Sequence, residues 1–418
     1  MPADARRVIE NLRELQALTG DADGAQRVAW TPTWLRAREW FRTKLDGLPL
    51  GEHIEHHVDA AGNAWYTLAG EREQALVLGS HLDSVPNGGW LDGCLGVLAG
   101  LEVMRGLAEE SDGRPPFTVR LVDWADEEGA RFGRSLFGSS AFAGRATIAA
   151  DRVRTDREGV PLAVALAECG IDVERVGEAV VEQRNIAAYL ELHIEQGPVL
   201  ERMELPLAVV LGTKGVERHA ITFHGQEAHS GSTPMAVRKD ALAAVAKLAL
   251  VIRTIARQHP DAVCTMGSVK TFPGIVTAVV GRCEATLDQR DLDPAVLASM
   301  LHEAQAASER FATEEGCTVE WAKIWGIEPI AFHAELIKLC DEAIREVAGS
   351  SYRMPSGPLH DAAEVARLGV PTVMLFVQSL GGISHNRIED TQLEHLELAI
   401  AAFDRLAAKT LGWMKRAN

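Results

Sequence analysis

No stretch of the 418-residue chain approaches ~18 consecutive apolar residues, which excludes a helical membrane span. Cysteine is scarce and scattered. Cys94, Cys169, Cys264, Cys283, Cys317 and Cys340 show no CxxC spacing, so a disulfide framework is not expected, and reduced, mostly buried thiols in a cytoplasm are. Basic residues are outnumbered, 42 Lys and Arg against 59 Asp and Glu, giving a formal net charge of −17. That balance disfavours a nucleic-acid partner and reads most simply as a solvated acidic surface. There is no internal repeat, low-complexity tract or long linker, and Gly138-Ser139-Ser140 lacks the GxSxG elbow of a serine-nucleophile hydrolase. The N-terminus lacks a signal peptide's uninterrupted apolar core. Arg6, Arg7 and Glu10 instead alternate with Val8, Ile9, Leu12, Leu15 and Leu18, as in an amphipathic docking helix. A soluble, cytoplasmic protein with no membrane partner is the expectation.

With 47% hydrophobic residues the chain can build a sizeable core, and its length suggests two or more domains. Residues 32–45 read as a helix, 64–69 and 75–79 as strands, 95–107 as an apolar helix and 117–124 as a buried strand. Residues 187–193 and 371–377 are strand-like, with 359–368 helical between Pro358 and Gly369. This alternation predicts an α/β layer with its chemistry at strand ends. Between about 212 and 327 the order changes to strand 217–223, helix 236–258, strands 263–271 and 276–287, helix 294–311 and strand 318–324. A βαββαβ order predicts a ferredoxin-like α+β insertion. The expected domains are therefore 1–211 with 328–418, interrupted by 212–327. Residues 145–183 contain helical pieces without a clear pattern.

Five residues in short, distinctive settings could ligate metal: His81 in Gly-Ser-His-Leu-Asp, Asp92 in Gly-Gly-Trp-Leu-Asp-Gly, Glu128 in Asp-Glu-Glu-Gly, His193 in Glu-Leu-His-Ile-Glu-Gln-Gly, and His385 in Gly-Ile-Ser-His-Asn. Three imidazoles and two carboxylates suit two divalent cations such as zinc, with Asp92 spanning both. Glu127 would then be free to act as base on a metal-activated water, which describes a hydrolase. Asp83, two residues after His81, is placed to orient its imidazole. Blander readings exist for each: Asp92-Gly93 is a common turn pair, and Glu127-Glu128 could be an acidic loop. Two carboxylates at the end of a hydrophobic strand, however, cost desolvation unless cations are near. His53, His56 and His57 lack a carboxylate constellation and read as an exposed polar face. His302, His333 and His395 fall on helical patterns.

In this order the motifs resemble the dinuclear-metal aminopeptidase and aminoacylase superfamily, and within it the amidase, hydantoinase/carbamoylase family. The features that carry the likeness are Asn87-Gly88-Gly89 before Asp92, Glu127-Glu128-Gly129-Ala130-Arg131-Phe132-Gly133, His193-Ile194-Glu195-Gln196-Gly197-Pro198 and Gly382-Ile383-Ser384-His385. The resemblance runs from about residue 5 to the C-terminal end. It implies a mixed-sheet catalytic domain and an inserted lid/dimerisation domain, hence a homodimer. It implies two divalent metal ions per subunit (zinc, or manganese, cobalt or nickel), one on His81, Asp92 and His193 and the other on Asp92, Glu128 and His385. His229, in Gly225-Gln226-Glu227-Ala228-His229-Ser230-Gly231, would stabilise the oxyanion in the partner subunit's site. Gln196 would hydrogen-bond substrate, and Arg290 would grip its carboxylate.

Two positions depart from that pattern: Thr277 stands where an asparagine helps hold the carboxylate, and Leu359 replaces a glycine beside the substrate. Trp90 adds an aromatic near Asp92. The leading expectation is hydrolysis of a linear amide or ureido bond of an N-carbamoyl-L-amino acid. Allantoate, N-carbamoyl-β-alanine and N-acyl amino acids are the alternatives within that chemistry. A catalytically silent binding protein is the alternative outside it, disfavoured because all five ligands and Glu127 are present.

Overall fold

The computed structural model describes residues 3–46 and 53–417. The chain divides into two compact units, one comprising Met1–Leu211 and Phe332–Asn418, the other Gly212–Ala331. The return crossing falls after Ala331 rather than after Ile327, because Ile330 and Ala331 pair with Thr213 and Gly212.

The larger unit is built on a mixed sheet. Its strands lie in the order Leu207–Thr213, Thr372–Val377, Ile186–Ile194, Ala75–His81, Thr118–Trp124, Ala64–Leu68 and Ile54–Val58. The middle four are mutually parallel, and the flanking pairings are antiparallel. Sequences such as Ala-Leu-Val-Leu-Gly-Ser-His and Thr-Val-Met-Leu-Phe-Val are buried along their whole length because helices cover both faces. Helix Cys94–Glu110 is buried nearly all round for the same reason. The N-terminal helix Ala5–Thr19 docks by Val8, Leu12 and Leu15, while Leu18 is left 43% exposed. Residues 145–183 resolve into the short helices Ile148–Asp151 and Leu162–Glu168 and the 3-10 helix Val176–Gln183. The histidines near the outer strand lie on an exposed face, where His57 Nε2 is 2.9 Å from Glu182.

Register explains where chemistry can gather. His81 pairs with Trp124, and Phe376 with His193, so the parallel strands finish side by side. The loops leaving them emerge at one edge, as open α/β sheets arrange their sites.

The smaller unit is a five-stranded antiparallel sheet with helices Ala241–Ala256 and Pro294–Glu314 packed on one face through Ile221, Phe223, Val245, Leu248, Leu287 and Phe311. Strand Arg282–Asp291 alternates buried and half-buried residues as a one-face sheet requires. Several element boundaries differ from the sequence expectation. The helix begins at Ala241, not 236, because the Asp240 side chain accepts from the N–H groups of Leu242 and Ala243 and caps it. The strand expected over 263–271 is two pieces, Val263–Thr265 and Val269–Phe272, and the next begins at Arg282 because Ala278 and Val279 pair instead with His229 and Ala228. Among the described residues no helix is long and apolar enough to cross a membrane.

A buried ion pair ties the second helix, Pro32–Asp46, to the sheet end: Arg38 Nε lies 2.7 Å from Asp123 Oδ2, and Asp123 Oδ1 accepts the Leu82 N–H at 2.8 Å. Arg38→Ala would strand that carboxylate, so it should destabilise the unit by about 3–5 kcal/mol in urea denaturation followed by tryptophan fluorescence. A loss below about 1 kcal/mol, the scale of an exposed pair, would show that water compensates Asp123.

Candidate metal centre

Each candidate ligand lies at an element end or in the loop beside one. His81 is the last residue of its strand, Glu127 and Glu128 follow Trp124, and His193 is next to last in its strand. Asp92 closes the loop before helix Cys94–Glu110, and His385 lies in the loop after Thr372–Val377. Gly93 is required between them. Its φ is +67°, and a Cβ there would fall 2.4 Å from the His81 ring.

The five side chains meet in two groups that share Asp92: His81, Asp92 and His193, and Asp92, Glu128 and His385. Asp92 Oδ1 is 3.9 Å from His81 Nε2 and 3.3 Å from His193 Nε2. Its Oδ2 is 3.4 Å from His385 Nε2, which is 3.3 Å from Glu128 Oε2. Glu127 belongs to neither group; its Oε2 is 3.8 Å from His81 Nε2. The donor set fits divalent cations on physical grounds. Nε2 of His193 and Oε1 of Glu128 are buried with no hydrogen-bond partner, and imidazoles and carboxylates form a borderline N/O set. A third cluster, Glu191, His193 and His360, shares His193, whose Nδ1 already meets Ile194 O at 3.0 Å and whose Nε2 faces Asp92. It supports the ring rather than adding a site: His360 lies 4.4 Å from His193, ring to ring.

Asp83 does more than face the His81 ring. Its main-chain carbonyl meets His81 Nδ1 at 3.1 Å, while its carboxylate stands 3.6 Å away and accepts the N–H groups of Glu127 and Glu128, each at 3.2 Å. Trp90 is not a pocket wall. It is 3% exposed in the core, bonded through Nε1 to Asp390 and stacked under Arg13, 3.3 Å from the ring centroid. Gln196 Nε2 donates to Asp92 Oδ2 at 3.0 Å and Ser384 Oγ at 3.1 Å. Leu359 is half-buried just before His360.

The remaining residues lie in the smaller unit. His229 is exposed, with Nδ1 accepting from the N–H groups of Gly231 and Ser232. Thr277 is brought to the same hairpin, its carbonyl accepting from Ser230 N. Arg290 pairs with Asp288 at 2.8 Å, and Arg218 holds the other oxygen of that carboxylate. Glu389, which no motif announced, is 2% exposed beside Asp92 and bonds Ser384, Leu91 and Asp92. Its only sequence signal is its place four residues after His385.

The electrostatics record crowded negative charge. Burial, then the charge of Asp92, pushes Glu128 and Glu389 each up to about 7. Burial, then Asp83, pushes Asp126 up to about 8. Burial also holds Glu127 well above the carboxylate range. Burial opposes charge on His81, yet Glu127, Asp83 and Asp92 raise it well above the imidazole range. The hydrogen bond to Asp92 lifts His385 to about 9. Asp92 itself is kept low against burial by His193 and His385.

These shifts have a sign. Glu128, Glu389 and Asp126 keep protons in the folded state over a pH range where the unfolded chain, at 4.5 or 3.8, has lost them, so stability falls as pH rises. His385, raised from 6.5, stabilises the folded state below that value and loses its contribution as pH rises through about 9. His360, lowered by burial and then by His193, opposes this only on the acid side of 6.5. The metal-free protein should therefore melt at falling temperature from about pH 5 to about pH 8, and zinc should raise Tm most at the upper end. A flat or rising metal-free Tm across that window would contradict the assignment.

Residues 77–409 match the family described as peptidase family M20/M25/M40. The chain is 36% identical over 333 residues to an N-carbamoyl-L-amino acid amidohydrolase of Geobacillus stearothermophilus, covering 79% of this chain and 81% of that one. It is 32% identical over 411 residues to an allantoate amidohydrolase of Escherichia coli (strain K12), covering 97% and 98%. The crystal structure of an amidase of the hydantoinase/carbamoylase family from Burkholderia multivorans matches with a TM-score of 0.85 at 32% identity, covering 97% and 98%. With the ligand clusters in place as well, the chain belongs to peptidase family M20/M25/M40 and, within it, to the hydantoinase/carbamoylase amidases, as a divalent-metal amidohydrolase of C–N bonds other than peptide bonds.

Proposed function

We propose that this enzyme hydrolyses an N-carbamoyl-L-amino acid to the amino acid, carbon dioxide and ammonia. Two divalent ions would be held by His81, Asp92 and His193 and by Asp92, Glu128 and His385. The supporting observation is the shared carboxylate: the two oxygens of Asp92 face different imidazoles while Glu127 stays outside both groups. Zinc, manganese, cobalt and nickel all suit such a set, and when bound they lower the pKa of water and polarise a carbonyl.

The chain's own residues then divide the work. Glu127 takes the proton of the attacking water and returns it to the departing nitrogen, which leaves as an amine. The Asp83 carboxylate supports it by fixing the Glu127 and Glu128 peptides. Gln196 exchanges a contact with Asp92 or Ser384 for one with substrate. Arg290 turns from Asp288 to the substrate carboxylate, while Arg218 keeps Asp288 neutralised. Thr277 offers a hydroxyl near that end. His229 accepts two N–H bonds at Nδ1, so in its neutral form the proton sits on Nε2, available to an oxyanion in the site of a partner subunit.

A relative 36% identical to the chain is named for N-carbamoyl-L-amino acids, and an allantoate amidohydrolase 32% identical covers 97% of it, so allantoate is the second reading. A panel of N-carbamoyl-L-amino acids, allantoate, N-carbamoyl-β-alanine and N-acyl amino acids, assayed with each of the four metals, separates them. Turnover of allantoate alone would transfer the assignment.

Glu127→Gln should retain about two metal ions per chain yet lower kcat by on the order of 10²–10⁴; near-normal kcat would remove Glu127 from the chemistry. For the homodimer, inactive His229→Ala and Glu127→Gln chains should complement when mixed, restoring roughly half the activity per heterodimer, since one site would regain both groups. No recovery despite proven subunit exchange would confine His229 to its own chain or remove it from the mechanism.

A further inference from the structure

Residues 89–93, which carry the carboxylate shared by both ligand groups, belong to no helix or strand, and the following helix holds only the carbonyl side of the loop, Cys94 and Leu95 donating to Asp92 and Leu91. The N–H side is held from far along the chain. Glu389 Oε1 accepts the N–H groups of both Leu91 and Asp92, each at 3.1 Å, across 297 residues in the second case. Its other oxygen, Oε2, accepts the Ser384 hydroxyl at 2.8 Å, and Ser384 Oγ is itself 3.0 Å from Asp92 Oδ2. Ser384 immediately precedes His385. One buried carboxylate therefore grips the backbone of the shared ligand and, through a hydroxyl, the loop that carries a ligand of the second group.

We infer that Glu389 is the positioning residue that fixes Asp92 between the two ligand groups and couples the Asp92 loop to the His385 loop. This rests on the two-metal reading above. Two features argue that the contact is built. Glu389 is 2% exposed, and a carboxylate so placed costs desolvation unless hydrogen-bonded on both oxygens, as it is. Gly89 is also shaped to it: a Cβ there would fall 2.1 Å from Glu389 Oε1 and 2.4 Å from its Cβ. The second glycine of the pair before Asp92 thus has a physical reason, since any side chain at 89 would evict the carboxylate that holds the ligand. Glutamate rather than glutamine suits the position because two backbone donors converge on one oxygen while a hydroxyl donates to the other. A glutamine would present N–H groups to Ser384.

The test compares wild type with Glu389→Ala, Glu389→Gln and Gly89→Ala. Zinc affinity is read by competition with a colorimetric chelator, and Tm is measured on the metal-free forms. Glu389→Ala should bind zinc about 10–100-fold more weakly, the scale for losing the support of a ligand. Its metal-free Tm should change little, because relief of one of several crowded carboxylates offsets the lost acceptor of the Leu91 and Asp92 N–H groups. Glu389→Gln should lose less affinity, and Gly89→Ala, which displaces Glu389 without altering it, should lose affinity in the same direction. Should Glu389→Ala not fold, the other two variants decide. Wild-type zinc affinity in folded variants, or a fall in metal-free Tm with affinity unchanged, would make Glu389 a fold-stabilising residue only and overturn the inference. Wild-type protein that binds no divalent ion would instead bring down the two-metal reading itself.

Discussion

Asp92 must face three imidazoles with two oxygens, and that constraint organises the centre. Its Oδ1 looks toward His81 and His193, its Oδ2 toward His385 and, through that ring, Glu128. Glu127, Glu128, Glu389, Asp83 and Asp126 surround the same small volume. So much buried negative charge is unfavourable unless cations are present, and several of these carboxyls accordingly shift upward. The protein holds in place a charge distribution that favours a divalent ion over solvent or a packed core.

Holding it falls to a device used repeatedly. Asp83 accepts the N–H groups of Glu127 and Glu128, Glu389 those of Leu91 and Asp92, and Asp123 that of Leu82, the residue after His81. In each case a buried carboxylate grips the backbone of a loop bearing a candidate ligand or base rather than the side chain itself. Backbone N–H groups left over at strand ends need acceptors in any case, so the same bonds satisfy the loop and set the direction of the reacting groups. Arg38, bound to Asp123, extends the support to the second helix.

The sequence made much of this readable. The candidate ligands stand out in the sequence because each lies at or after a strand end or before a helix with glycine nearby, and Gly93 shows why: the His81 ring occupies the space of its missing side chain. The α/β layer and the inserted βαββαβ unit were legible from the switch in element order, since burial on both faces and burial on one face leave different patterns. What stayed hidden depends on partners distant in the chain. Glu389 and Asp92 are 297 residues apart, and no local spacing signals their bond. Trp90 adjoins Asp92 in sequence yet turns into the core, because Arg13 and Asp390 receive it there. The helix start at Ala241 was missed for a local reason, the capping power of Asp240 outweighing the apolar run before it.

Substrate choice is harder to read than chemistry for a related reason. The loops of the candidate metal centre are gripped by hydrogen bonds and include unusual backbone states. Asp126, Gln196 and His385 all have φ between 55° and 57°, a left-handed conformation that non-glycine residues adopt at a cost and that tends to mark functional loops. Such positions are over-determined by their surroundings, so a motif predicts them well. The proposed specificity residues are different in kind. Arg290 is held by a carboxylate it shares with Arg218, Thr277 is an exposed residue next to the His229 hairpin, and Leu359 is half-buried beside His360. Each can change size or partner without disturbing the anchors beneath the candidate metal ligands. With the roles proposed above, the interactions that build the centre and those that choose its substrate fall on separate sets of residues, which fits relatives named for N-carbamoyl amino acids in one case and allantoate in another.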